Sequence, residues 1–213
     1  MTAPRIKICG LTTPETLEAA IAARADYFGL MFYPPSPRFA APEVARELGA
    51  RAAGRIGRVG VFVDADDALL ADSVAAAGLD ALQLHGAESP AHVAQLRTRF
   101  GLPVWKVLSI ASAEDVARAD AYRGAADLIL FDAKTPKGGL QGGMGLKFDW
   151  SLLGAWKGSF PWGLAGGLSP DNVAEAVRLT GAPLVDTSSG VESAPGIKDA
   201  ARIAEFCAAA RRA

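Results

Sequence analysis

Cysteine and histidine are nearly missing from this 213-residue chain, which holds two of each. The cysteines, Cys9 and Cys207, stand at opposite ends of the sequence, so there is no disulfide framework. With His85 and His92 the only histidines, the ligand spacings of a zinc site are absent as well. Charge of one sign is also lacking. Lys and Arg number 22 against 23 Asp and Glu, a formal net charge of −1, so no basic field exists to hold nucleic acid or an anionic membrane. Any anion must be bound locally. No apolar run reaches the roughly 18 residues of a membrane span, and Met1 to Arg5 show no signal-type apolar stretch. The expectation is a soluble protein of the reducing cytoplasm, without nucleic-acid or membrane partners.

What is present is alternation. Runs rich in β-branched and aromatic residues predict strands over 5–9, 27–32, 58–63, 80–84, 104–109, 127–132, 161–165 and 184–188. Alanine-rich segments of helical period fall between them, over 14–24, 42–53, 65–77, 89–100, 112–121, a short 149–154, 170–180 and 197–211. Pro14-Glu15 and Pro42-Glu43 open helices with proline and an acid in the first turn, and Ser89-Pro90 and Ser169-Pro170 read as an N-cap followed by proline. Eight strand-helix units predict a parallel sheet closed into one (β/α)8 barrel over residues 1–213. The open doubly wound alternative would carry GxGxxG in its first turn, where this chain has Cys9-Gly10-Leu11-Thr12.

In such a barrel the reacting groups stand at the C-terminal strand ends. Strand alternation puts Lys7 and Cys9 on one face, and likewise Gln83 with His85, Leu130 with Asp132, and Asp186 with Ser188. Taken singly, Cys9 reads equally as a small core residue, Asp132 as a helix cap and His85 as a structural histidine. Together they describe a polar mouth. The last two strand ends, Ala165-Gly166-Gly167-Leu168 and Ser188-Ser189-Gly190-Val191-Glu192, bring glycines and hydroxyls to the place where these barrels bind phosphate. Three prolines in Tyr33-Pro34-Pro35-Ser36-Pro37-Arg38 stiffen a loop that presents Arg38, whose forked guanidinium suits a carboxylate. Five glycines between Lys134 and Leu146 predict a mobile loop beside Asp132, a candidate lid.

These residues resemble the phosphoribosylanthranilate isomerases of tryptophan biosynthesis. The likeness runs over nearly the whole chain. It is carried by Lys7-Ile8-Cys9-Gly10-Leu11-Thr12, Ser36-Pro37-Arg38, Val59-Gly60-Val61-Phe62, Leu82-Gln83-Leu84-His85-Gly86, Asp132, Gly143-x-Gly145 before Phe148-Asp149-Trp150, Ala165-Gly166-Gly167-Leu168, Asp186-x-Ser188-Ser189-Gly190-Val191-Glu192 and Gly196-x-Lys198-Asp199. Met144, where a threonine is expected, and Thr187, where an aliphatic residue is common, depart from the pattern.

The resemblance implies a barrel without cofactor or metal, a monomer or homodimer, that turns phosphoribosylanthranilate into an aminodeoxyribulose phosphate by an Amadori rearrangement. It implies Cys9 as general base and Asp132 as general acid, Arg38 facing the anthranilate carboxylate, and Gly166, Gly167, Ser188, Ser189 and Gly190 in the phosphate loops. Gln83, His85 and Asp186 complete the expected substrate-facing set. A ring-opening acid must begin protonated, which partial burial of Asp132 would favour, and a basic cysteine must become a thiolate. Lys7, with Asp186 as its counter-ion, is expected to favour that thiolate. Three rival readings stand beside this one. A related isomerase of histidine biosynthesis would carry aspartate where Cys9 stands. An indole-forming barrel would use an interior lysine such as Lys106. A non-catalytic phosphosugar-binding barrel would need neither Cys9 nor Asp132.

Overall fold

The computed structural model describes residues 3–133, 150–156, 158 and 160–213. Eight strands close into a barrel in sequence order: β1 (Arg5–Cys9), β2 (Tyr27–Met31), β3 (Gly57–Phe62), β4 (Ala81–Leu84), β5 (Val104–Ile110), β6 (Leu128–Ala133), β7 (Trp162–Ala165) and β8 (Leu184–Thr187). Every pairing among them is parallel, and β8 returns to β1 with Val185 opposite Ile6 and Asp186 opposite Lys7. Among the described residues seven α-helices surround it: α1 (Pro14–Ala22), α2 (Pro42–Ala52), α3 (Asp67–Ala77), α4 (Pro90–Phe100), α5 (Ala113–Ala117), α6 (Val173–Thr180) and α7 (Ala200–Arg211). Among the described residues no helix is long and apolar enough to cross a membrane.

Local chemistry explains most helix starts and corrects several expected boundaries. Thr13, Asp66 and Ser89 cap α1, α3 and α4 by accepting the N–H of Thr16, Leu69 and His92. Ser169 does not cap α6. Its own N–H donates to Asn172 Oδ1 at 2.8 Å, Pro170 lies in a turn, and the helix starts at Val173. The Ser169 carbonyl accepts the N–H groups of Asn172 and Val173 within that turn, and Asn172 stands at the N-cap position of α6. The segment expected as one helix over 112–121 divides into α5 and a 3-10 stretch, Arg118–Tyr122, and the short helix near 150 is also 3-10, Trp150–Ala155. Ahead of α7 stands a small antiparallel hairpin, β9 (Glu192–Ala194) with β10 (Ile197–Lys198), turning at Gly196 with φ 82°, so the helix expected from 197 begins only at Ala200.

Two apolar layers follow from the alternation. Outward residues such as Ile6, Ile8, Phe28, Leu82 and Phe131 pack beneath Leu17, Leu48, Val93 and Phe206 of the helices. Each large side chain so buried contributes about 1.5–3 kcal/mol. Inward, Val59, Ala81, Trp105, Val107, Leu128, Leu130, Ala165 and Leu184 fill the barrel, with Tyr27 edge-on to Trp105 at 5.0 Å. This packed interior closes the barrel below, so the polar groups of the strand ends meet only at the upper mouth.

Candidate active site

The deepest polar group at that mouth is Lys7, on β1 and fully buried. Its Nζ donates to both carboxylate oxygens of Asp186 across the β1–β8 seam, each at 3.0 Å. Burial works against its charge, but Asp186 and then Cys9 outweigh it and hold the ammonium above its ordinary pKa. The expected counter-ion is therefore in place. Cys9, one pleat above, is 6% exposed. Strand pairing sets Gly29 of β2 opposite it, and a β-carbon at Gly29 would fall 2.9 Å from Cys9 Sγ and 3.1 Å from Lys7 Nζ. The thiol and the ammonium thus share a space that only glycine leaves open.

The expected readiness of Cys9 to ionise is not met in this arrangement. Burial pushes the thiol above its ordinary value, and the opposing pull of Lys7 is smaller. Lys7 gives its charge to Asp186, which faces Cys9 as well and adds to the rise. Asp132, at the end of β6, is part-buried as expected, its side chain 28% exposed, and its Oδ2 lies 3.2 Å from His85 Nε2. That bond runs from His85 when Nε2 carries a hydrogen, and from a protonated Asp132 when it does not. Gln83, on β4, is 2% exposed, and its Oε1 has no partner among the described residues.

Cys9, Arg38, Gln83, His85, Asp132, Asp186, Ser188 and both glycine loops line one cavity of about 330 Å³. Met31, Val107, Leu130, Ala165 and Leu168 supply apolar wall between them. Gly166 and Gly167 hold φ of 88° and 64°. The N–H groups of Gly166, Gly167 and Ser189 have no acceptor among the described residues. Three free amides at one rim suit a phosphate. Gly190 has no room for a side chain, since a β-carbon there would sit 1.9 Å from Leu168 O. Ser188 turns its hydroxyl inward to Cys9 O at 3.1 Å.

Two placements differ from a plain reading of the sequence. Arg38 opens on the cavity, yet its fork is engaged: Nε and Nη2 donate to Glu192 at 2.6 and 2.7 Å. Glu192 and its second partner, Lys198, received no role in the sequence analysis. The signal available was a pair of ionisable residues just after the hydroxyl-rich end of β8. Lys106, the rival interior lysine, lies on the outward face of β5 and spends its ammonium on Glu88, Gly86 O and Leu84 O at 2.7, 2.7 and 3.3 Å. It does not reach the cavity. Among the described residues no three His, Cys, Asp or Glu side chains gather as a metal site. The expected lid, Lys134 to Leu146, lies outside the described residues, as does the Met144 departure.

Comparison with known proteins identifies the family of this barrel. A relative from Paramagnetospirillum magneticum named N-(5'-phosphoribosyl)anthranilate isomerase is 54% identical over 207 residues, covering 97% of this chain and 96% of its own length. The crystal structure of phosphoribosyl anthranilate isomerase from Thermotoga maritima superposes with a TM-score of 0.89 at 37% identity, covering 99% of this chain and all of that one. Another solved isomerase, in complex with reduced 1-(o-carboxyphenylamino)-1-deoxyribulose 5-phosphate, matches with a TM-score of 0.86 at 34% identity, covering 99% of this chain and 100% of that one. Since the family model described as N-(5'phosphoribosyl)anthranilate (PRA) isomerase spans residues 6–209, nearly the entire barrel, the chain belongs to that family.

Proposed function

We propose that this single barrel domain rearranges N-(5'-phosphoribosyl)anthranilate to 1-(2-carboxyphenylamino)-1-deoxyribulose 5-phosphate with Cys9 as general base and Asp132 as general acid. Membership of the family makes the chain an isomerase of tryptophan biosynthesis. The observation that carries the assignment of roles is that Cys9 and Asp132 open on the same cavity, between a phosphate-suited rim and a guanidinium. A phosphate at Gly166, Gly167 and Ser189 and a carboxylate near Arg38 would stretch the ribose between the two groups. Proximity of that kind makes the proton transfers effectively unimolecular.

Two proton transfers lead to the enolamine. Asp132 gives a proton to the ring oxygen as the bond from that oxygen to the anomeric carbon breaks, leaving an open-chain iminium conjugated to the anthranilate nitrogen. The Cys9 thiolate then takes the proton from the neighbouring carbon, and the electron pair neutralises the iminium as an enolamine, which tautomerises to the ketone. No atom is gained or lost. His85, 3.2 Å from Asp132, holds the acid toward the mouth, and the unpaired Gln83 Oε1 suits a sugar hydroxyl donor.

Removing either group tests the roles. Cys9→Ser and Asp132→Asn are each expected to cut the rate of anthranilate-fluorescence loss from fresh substrate by about 10²–10⁴-fold while substrate still binds. A variant with parental turnover would remove its residue from the mechanism, and a parent that leaves fluorescence loss at its uncatalysed rate would favour the non-catalytic reading. Among the described residues the cavity is lined by one chain, and either a monomer or a homodimer accommodates it. Two buried free thiols suit a reducing cytoplasm.

A further inference from the structure

One continuous set of hydrogen bonds joins the two ends of the cavity without entering it. Arg38 donates twice to Glu192. Lys198 Nζ donates to the same carboxylate at 2.6 Å and to Ser188 O and Oγ at 2.9 and 3.1 Å, which uses all three of its hydrogens. Ser188 Oγ in turn donates to Cys9 O. The Glu192 and Lys198 side chains are 5% and 1% exposed, and neither lines the cavity. Burial would raise the Glu192 carboxyl, but Arg38 and Lys198 hold it down at about 2. Two cations share one carboxylate, so one positive charge remains at a mouth that receives an anion at each end. The Arg38 stem leaves little freedom elsewhere, since a β-carbon on Gly10 would lie 2.9 Å from its Cδ.

We propose that Glu192 and Lys198 are positioning residues that couple the grip on the substrate's carboxylate to the grip on its phosphate. Glu192 occupies Nε and Nη2 of Arg38 and leaves Nη1 as the donor for the ligand carboxylate. Lys198 ties Glu192 to the Ser188 turn, and that turn carries the free Ser189 amide. Neither residue touches substrate; each acts through its partner. The inference rests on the proposed reading in which Arg38 faces the carboxylate and the Gly166 and Ser188 loops face the phosphate.

The test uses Lys198→Met in the full chain, with anthranilate and inorganic phosphate as separate competitive inhibitors. Coupling predicts that both inhibition constants and KM rise by about fivefold or more while kcat stays within about threefold. A smaller change in either inhibition constant overturns the coupling. A purely structural role would instead lower the unfolding midpoint and the active fraction and leave the inhibition constants of the folded enzyme unmoved. Glu192→Gln, which keeps shape and removes charge, is held to the same thresholds and decides the matter if Lys198→Met does not fold. Arg38→Ala separates the two levels: if it leaves anthranilate inhibition unchanged, the carboxylate assignment itself fails.

Discussion

A thiol serves as a base only after losing its proton, and burial pushes Cys9 the other way, above its ordinary value. Lys7 opposes this from the same face, but the ammonium is held by both oxygens of Asp186. The sign of the consequence follows directly. The working form is the deprotonated one, so the competent fraction at neutral pH is the minor one and grows with pH. Because Asp132 must be protonated when Cys9 is not, the two competent fractions move oppositely with pH and the thiol is tested directly: alkylation of Cys9 by iodoacetamide in the free enzyme is expected to need a higher pH than alkylation of an exposed thiol. Alkylation with the pH dependence of an ordinary exposed thiol would show that burial does not hold the proton on Cys9. Strand alternation alone brought Lys7 and Cys9 to one face, and the seam register later supplied Asp186. The balance between burial and attraction was not legible, because it depends on how completely β2 and β8 exclude water from the thiol.

Strand β2 shows how an element with no reacting group governs the chemistry. Its register sets Gly29 against Cys9, where an added β-carbon would press on Sγ and on Lys7 Nζ. Gly29→Ala is expected to lower kcat by about tenfold or more through displacement of the base, with the fold retained by circular dichroism. Parental kcat in that variant would mean the thiol has room to move without cost. Strands were readable nearly to the residue because apolar runs between helix-forming segments have little else to become. Helix starts were less so. Ser89 caps α4, whereas the same Ser-Pro step at Ser169 leads into a turn and α6 starts only at Val173. The helix expected from 197 starts late because Lys198 is drawn inward to Ser188 and Glu192, which holds Ile197 and Lys198 in the hairpin with β9.

For the molecule as a whole, the Lys7–Asp186 pair bridges β1 and β8, the strands whose pairing closes the barrel. Lys7→Met is expected to lower the free energy of unfolding by about 3–5 kcal/mol, because Asp186 is left as a buried charge without its partner, and adding Asp186→Leu should recover much of the loss. Urea unfolding of the two variants measures it, and a single variant as stable as the parent would remove the pair from the closure of the barrel. The sequence by itself determined the number and order of the barrel strands and which of their side chains face inward, since those follow from local period and the two-residue alternation of a strand. It also placed Cys9, Gln83, His85, Asp132, Asp186 and Ser188 at strand ends that share one mouth. Only the tertiary structure decided that Glu192 takes the fork of Arg38 and Glu88 takes Lys106, and it set the expected Asp186 against Lys7. These pairings span 154, 18 and 179 residues, and their geometry exists only once the sheet has closed.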